Sequence, residues 1–179
     1  MFQKNPFLVF CIKLLGSYAI WKLLYYVLET QDPAVWEVVK NYIASKTVAC
    51  AAWMDTHLFQ MDIRYNARNI LIEGKRGVFL ADHCIGIPAY VVFTLFIIFY
   101  SGRWQDKVWF IPVGIVGIFL INSLRSAALA YLQKNSSEGF FQFNHSYTYL
   151  VTTYGMIFLF IVWWVEVYAR GQSTELLQE

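Results

Sequence analysis

The sequence predicts an all-α membrane bundle of about four transmembrane helices. To these it adds a further helical segment that is either amphipathic or a partial span, and a small β-hairpin. Three observations carry this expectation. Hydrophobic residues make up 58% of 179 positions and mean hydropathy is +0.45, the range of integral membrane proteins rather than soluble globules. Four apolar runs each approach the ~20 residues that cross ~30 Å of hydrocarbon at ~1.5 Å per residue. Aromatic residues, 19% of the chain, gather at the ends of those runs, as Trp and Tyr do at membrane interfaces. A chain of this length reads as one domain, 1–179.

The first run, residues 7–28, carries Lys13 and Lys22 and lacks a small-x-small cleavage site. It therefore reads as a retained membrane helix with snorkelling lysines, not as a cleaved signal. Residues 33–58 form an amphipathic candidate. Val35, Val38, Val39, Tyr42, Ile43, Thr47 and Cys50 share one face, with Glu37, Lys40, Asn41 and Ser45 largely opposite. Such a helix lies on the membrane surface, packs against the bundle, or spans part of the bilayer through Thr47–Met54.

The period then changes. Met61, Ile63 and Tyr65 alternate with Asp62, Arg64 and Asn66, the pattern of a strand. Residues 69–73 and 78–81 flank Gly74-Lys75-Arg76-Gly77, which predicts a hairpin. That hairpin delivers the chain to Cys84 and the second run, 85–100. The third run is 108–132 and the fourth 146–168. Tyr100, Trp104 and Trp109 mark one interface, and Trp163, Trp164 and Tyr168 close the last run. Residues 171–179 read as a polar tail.

Composition also excludes classes. A net charge of +2 with scattered basic residues does not suit nucleic acid. Three cysteines, Cys11, Cys50 and Cys84, are an odd number and no disulfide framework; Cys11 and Cys50 read as small buried hydrophobes. His83 and Cys84 are adjacent, which is not a standard metal-ligand spacing even with His57 or His145 added, so neither a metal nor another cofactor is expected.

Absolute orientation stays open. With the segment between the first two runs outside, Lys4, Arg103, Lys107 and Arg170 lie inside. Lys40, Lys46, Arg64, Arg68, Lys75, Arg76 and Lys134 then lie outside. A bare positive-inside count opposes that arrangement, although a folded segment with balancing acids weakens the rule.

Relative placement does not depend on orientation. Cys84 opens the second run, Arg125 lies in the last third of the third, and His145 stands at the mouth of the fourth. Antiparallel neighbours joined by short loops put all three at one end. Arg125 sits seven residues before Leu132, ~10 Å along the axis, within reach of a snorkelling guanidinium. An arginine inside a span costs ~3 kcal/mol and reads by default as functional. Singly, Cys84 is a packing residue, Arg125 a partner for carbonyls and His145 an interfacial histidine. Together they supply a chemistry.

A thiol attacks as thiolate, and a helix entrance favours that form. Asp82 works the other way, so a cationic or imidazole partner is needed. His145 can take the thiol proton and return it to a leaving amine. Arg125 can hold an oxyanion or a substrate carboxylate. Gly86 permits close approach and Pro88 suits a first helical turn. Asn122, about one turn from Arg125, orients it, binds substrate backbone or packs between helices. His83 is a rival base, although adjacent side chains on a helix diverge by ~100°.

Cys84-Ile85-Gly86-Ile87 resembles the Cys-x-Gly-aliphatic signature of the exosortase/archaeosortase family. Asn122-Ser123-Leu124-Arg125 resembles its Asn-x-x-Arg motif, and His145 its third invariant position. The resemblance covers roughly residues 69–168 and describes a short form, since larger members carry about eight spans and many have a small residue where His83 stands. It implies a cysteine transpeptidase of the inner (plasma) membrane with its site and hairpin on the extracytoplasmic side. Cys84 is then the nucleophile, with Arg125 and His145 as its catalytic partners. The implied partners are membrane-anchored proteins with C-terminal sorting signals of the PEP-CTERM type and an unidentified acceptor nucleophile. Water as acceptor would make the same machinery a hydrolase. A non-catalytic assembly subunit, or a transporter using Arg125 to pair with an anion, is the alternative class.

Overall fold

The computed structural model describes residues 6–75, 77–144, 151 and 154–169. Helix α1 (Pro6–Gln31) runs one turn past the apolar segment. Asp32 then caps α2 (Pro33–His57), its carboxylate accepting from Val35 N at 3.2 Å, with Pro33 in the first turn. Strands β1 (Ile63–Tyr65), β2 (Asn69–Ile72) and β3 (Val78–Phe79) follow. A 3₁₀ turn at Asp82–Cys84 leads into α3 (Ile87–Phe99) and α4 (Trp104–Asn135). Helices α5 (Glu138–Phe143) and α6 (Gly155–Trp164) come last, and α6 runs on into a π-helical turn, Val165–Ala169.

Among the described residues, α1 and α4 are long and apolar enough to cross a membrane. α3 and α6 are shorter apolar helices; the 13 residues of α3 rise about 20 Å. The sheet is larger than the single expected hairpin. β2 pairs with β3 as the glycine-flanked loop requires, Ile70 opposite Val78. The alternating segment adds β1 on the other side, Arg64 opposite Leu71. Ile70, Ile72 and Val78 face inward and join a core with Ala44, Val48 and Ala51 of α2 and Ala127 and Ala130 of α4.

The face of α2 differs from the expected one. Val38 and Tyr42 of the apolar stripe are 69% and 63% exposed, and Val35 and Val39 also face outward. The buried stripe is instead Trp36, Lys40, Ala44, Thr47, Val48, Ala51, Ala52 and Asp55. Small residues let α2 settle closely on α4, its main partner, which is how helices pack where lipid is as apolar as leucine. Asp55 ends this stripe at 0% exposure, and neither of its oxygens accepts a hydrogen bond among the described residues. Burial pushes its carboxyl up to about 7. Its protonated form suits the fold, so its contribution is full below the ordinary value of ~3.9 and is lost as pH rises toward about 7. Asp55→Asn should therefore raise thermal stability at pH 8, by on the order of 2 kcal/mol. That gain should shrink steadily as pH falls to 5; a pH-independent difference between the two proteins would contradict the assignment.

The other end of the bundle is aromatic. Phe110 and Trp164 rings stand 4.9 Å apart and Trp109 and Tyr168 5.8 Å. The two expected aromatic belts therefore meet at one end, where α4 begins and α6 finishes. Gly114 leaves no room for a Cβ beside the fully buried Phe93 ring, so α3 and α4 cross closely there. Lys107 is buried because its ammonium donates to the Ile98 and Tyr100 carbonyls at 2.9 and 2.7 Å, closing the end of α3.

Candidate active site

At the opposite end, the chain leaves β3 with Leu80 N bonded to Arg68 O at 2.8 Å. The turn then tightens, Cys84 N donating to Ala81 O at 2.8 Å and Ile85 N to Asp82 O at 3.3 Å. Gly86 takes φ +81°, which only glycine adopts readily, and Ala89 N bonds back to Gly86 O at 2.9 Å to start α3. Asn122 of α4 packs against Gly86: a Cβ there would stand 3.4 Å from Asn122 Nδ2 and 3.9 Å from the Tyr90 ring.

Asn122 is fully buried, and its Nδ2 donates to Cys84 O at 3.2 Å and Ile85 O at 3.0 Å. Two carbonyls demand the NH2 side of the amide, which fixes its orientation. Asn122 thus holds the Cys84 turn, a contact that was not among the roles expected of it. Arg125 lies three residues on, on the same helix face. Its Nη2 is 3.6 Å from Cys84 Sγ, with Arg125 7% and Cys84 2% exposed. The guanidinium is directed at the sulfur. A cavity of about 340 Å³ opens beside Arg125, walled by Ile121, Leu124, Leu132, Asn144 and Met156.

His83 sits on the exposed side of the same turn, away from the buried Cys84. His145 lies outside the described residues; Asn144, immediately before it, lines the cavity with Arg125.

One part of the site lies outside the sequence motifs. Asp82, expected to oppose the thiolate, is paired with Lys40 of α2, whose Nζ lies 2.9 Å from Asp82 Oδ2 and 2.7 Å from Glu37 Oε2. Arg68 bonds the other Asp82 oxygen, reaches Glu37 Oε1 at 2.9 Å and donates its Nε to Asn41. Asp82 and Glu37 are both held below the usual carboxylate range, chiefly by the hydrogen bond from Lys40. Lys40 is raised by those same bonds. The available signal was Glu37 and Lys40 at i,i+3 on a helix short of other charges.

Fold and site together define a class: a multi-helix membrane protein with a buried thiol set against a guanidinium at one end of its bundle. Within that class the chain belongs to the transmembrane exosortase family, whose model matches residues 9–165, and so to membrane proteins of sorting-signal processing. No curated protein and no solved structure matches it.

Proposed function

We propose that this protein is a membrane-embedded cysteine transpeptidase that cleaves C-terminal sorting signals of exported proteins. The observation that carries the proposal is the approach of Arg125 Nη2 to Cys84 Sγ at 3.6 Å in a buried setting, in a chain of the exosortase family. A guanidinium beside the sulfur can hold the oxygen of a tetrahedral intermediate. The thiolate attacks the scissile carbonyl, forming a C–S bond. As the C–N bond breaks, the leaving amine takes the proton that His145 received from the thiol. An acceptor amine next attacks the thioester, the C–S bond breaks, and Cys84 recovers its proton. The role of His145 rests on the family motif.

In this reading residues 69–168 form the catalytic core of a single domain. The 340 Å³ cavity receives the substrate segment beside the scissile bond. The site faces the extracytoplasmic side of the inner (plasma) membrane, and substrates carry a short motif, an apolar helix and a basic tail of PEP-CTERM kind. Asn122 and Gly86 shape the turn that presents the thiol, and His83 lines its outer side.

Product mass tests the reaction. The protein in bilayer nanodiscs, given a sorting-signal protein from the same cell, should release the upstream part joined to an acceptor. A free carboxylate would make the enzyme a hydrolase by the same acylation. An uncleaved substrate would remove the proposal.

A further inference from the structure

Helix α2 takes no step in that reaction, yet it brings charge to the turn that carries the nucleophile. Four side chains close a ring: Lys40 touches Glu37 and Asp82, and Arg68 touches the same two carboxylates. The cations are the sheltered members, with side chains 11% and 14% exposed against 51% and 52% for the acids. The ring joins three elements, α2, the β1–β2 turn that carries Arg68, and the Cys84 turn. Its formal charge is zero, two of each sign.

We propose that Lys40 and Arg68 are positioning residues for Cys84. They cancel the Asp82 carboxylate two residues from the thiol and hold its turn at a second point besides Asn122. This inference rests on the reading of Cys84 as nucleophile. The turn is held at two points: Asn122 takes the carbonyls of Cys84 and Ile85, and the ring takes the side chain of Asp82. Without one cation, the ring keeps a net negative charge on Asp82, two residues from the thiol, and that charge opposes an anionic sulfur. The depressed Asp82 and Glu37 and the elevated Lys40 keep the ring charged through neutral pH, so it is lost only as acid reaches those lowered carboxylates. Among the described residues, the other charged or titratable groups around the turn and ring are Arg125 on α4, His83 on the turn itself, Tyr90 of α3 near Gly86, and Tyr25 of α1, which faces Lys40 and Asp82 and bonds Glu29 at 3.0 Å; Asp55 lies ~22 Å further along α2 from Lys40.

The charge pattern makes the idea testable without substrate. In a Cys11→Ser/Cys50→Ser background Cys84 is the sole thiol, and methyl methanethiosulfonate at pH 7.5 reports its reactivity by mass. Lys40→Met and Arg68→Gln should each slow the reaction about three- to tenfold. Asp82→Asn, which leaves the ring positive, should react at least as fast as the parent. Lys40→Met/Asp82→Asn should return to within about twofold of the parent, and Lys40→Arg should match it. A clamp acting through shape alone would make Asp82→Asn slow and the double variant slower still, and either result overturns the inference. Should Lys40→Met fail to fold, Asp82→Asn and Lys40→Arg decide by the same criteria. A parent whose Cys84 does not react at all would instead remove the nucleophile reading from which this one departs.

Discussion

Cys84→Ala should leave the protein inserted and folded while unprocessed substrate accumulates, with turnover falling at least about a thousandfold to the detection limit. The size follows from the proposed role: Cys84 is the nucleophile, and without its sulfur no thioester can form. Stability should change little by comparison. The side chain is 2% exposed, and replacing a thiol by a methyl costs about 1 kcal/mol, far less than unfolding the domain. Immunoblotting of substrate in cells, with the variant's membrane level measured in parallel, checks both halves. Normal processing by Cys84→Ala would sink the catalytic reading and favour a non-catalytic membrane role.

The second large effect is expected at Arg125. Arg125→Lys should lower turnover about 10²–10³-fold, the range for losing a donor to a developing oxyanion, with little change in the amount of inserted protein. Charge is retained in this variant, so the loss isolates geometry. A planar guanidinium can direct one N–H at the sulfur while another meets the substrate oxygen, whereas an ammonium is a single point on a flexible stem. The guanidinium that makes the 3.6 Å Nη2–Sγ contact also lines the adjacent cavity. Single-turnover rates at saturating substrate separate this loss from weaker binding. Full activity in Arg125→Lys would reduce Arg125 to a carrier of charge.

Much of this architecture was readable one segment at a time. The runs that became α1 and α4 announce themselves by length and hydropathy. Gly74 to Gly77 between two β-rich stretches announces the β2–β3 pairing. Cys84 and Arg125 stood out as costly residues at the ends of apolar runs, and alternation of helix direction implied that they share an end. What a segment could not reveal was its partner. Alternation at 61–66 predicts a strand, but only the register Ile63↔Ile72 says that it lies on β2. Arg125 was within reach of the interface and equally of the sulfur, and the closed position of the Cys84 turn over Asn122 decides between them.

The α2 face shows why the reading stopped there. In water, the stripe of Val35, Val38, Val39 and Tyr42 would mark the core; here those residues face outward and Lys40 and Asp55 are buried. Close packing on α4 selects the small residues Ala44, Val48, Ala51 and Ala52 for the inner face, so hydrophobic periodicity marks the helix but not its inner face. Residue types and chain order by themselves determined a membrane bundle, a hairpin leading to a cysteine, and an arginine at the same end. Tertiary structure alone decided that Asn122 grips the cysteine turn, that Arg125 turns to its sulfur and that Lys40 and Arg68 cancel Asp82. Those pairings join residues up to 42 positions apart. They depend on small side chains and polar contacts whose partners no local pattern encodes.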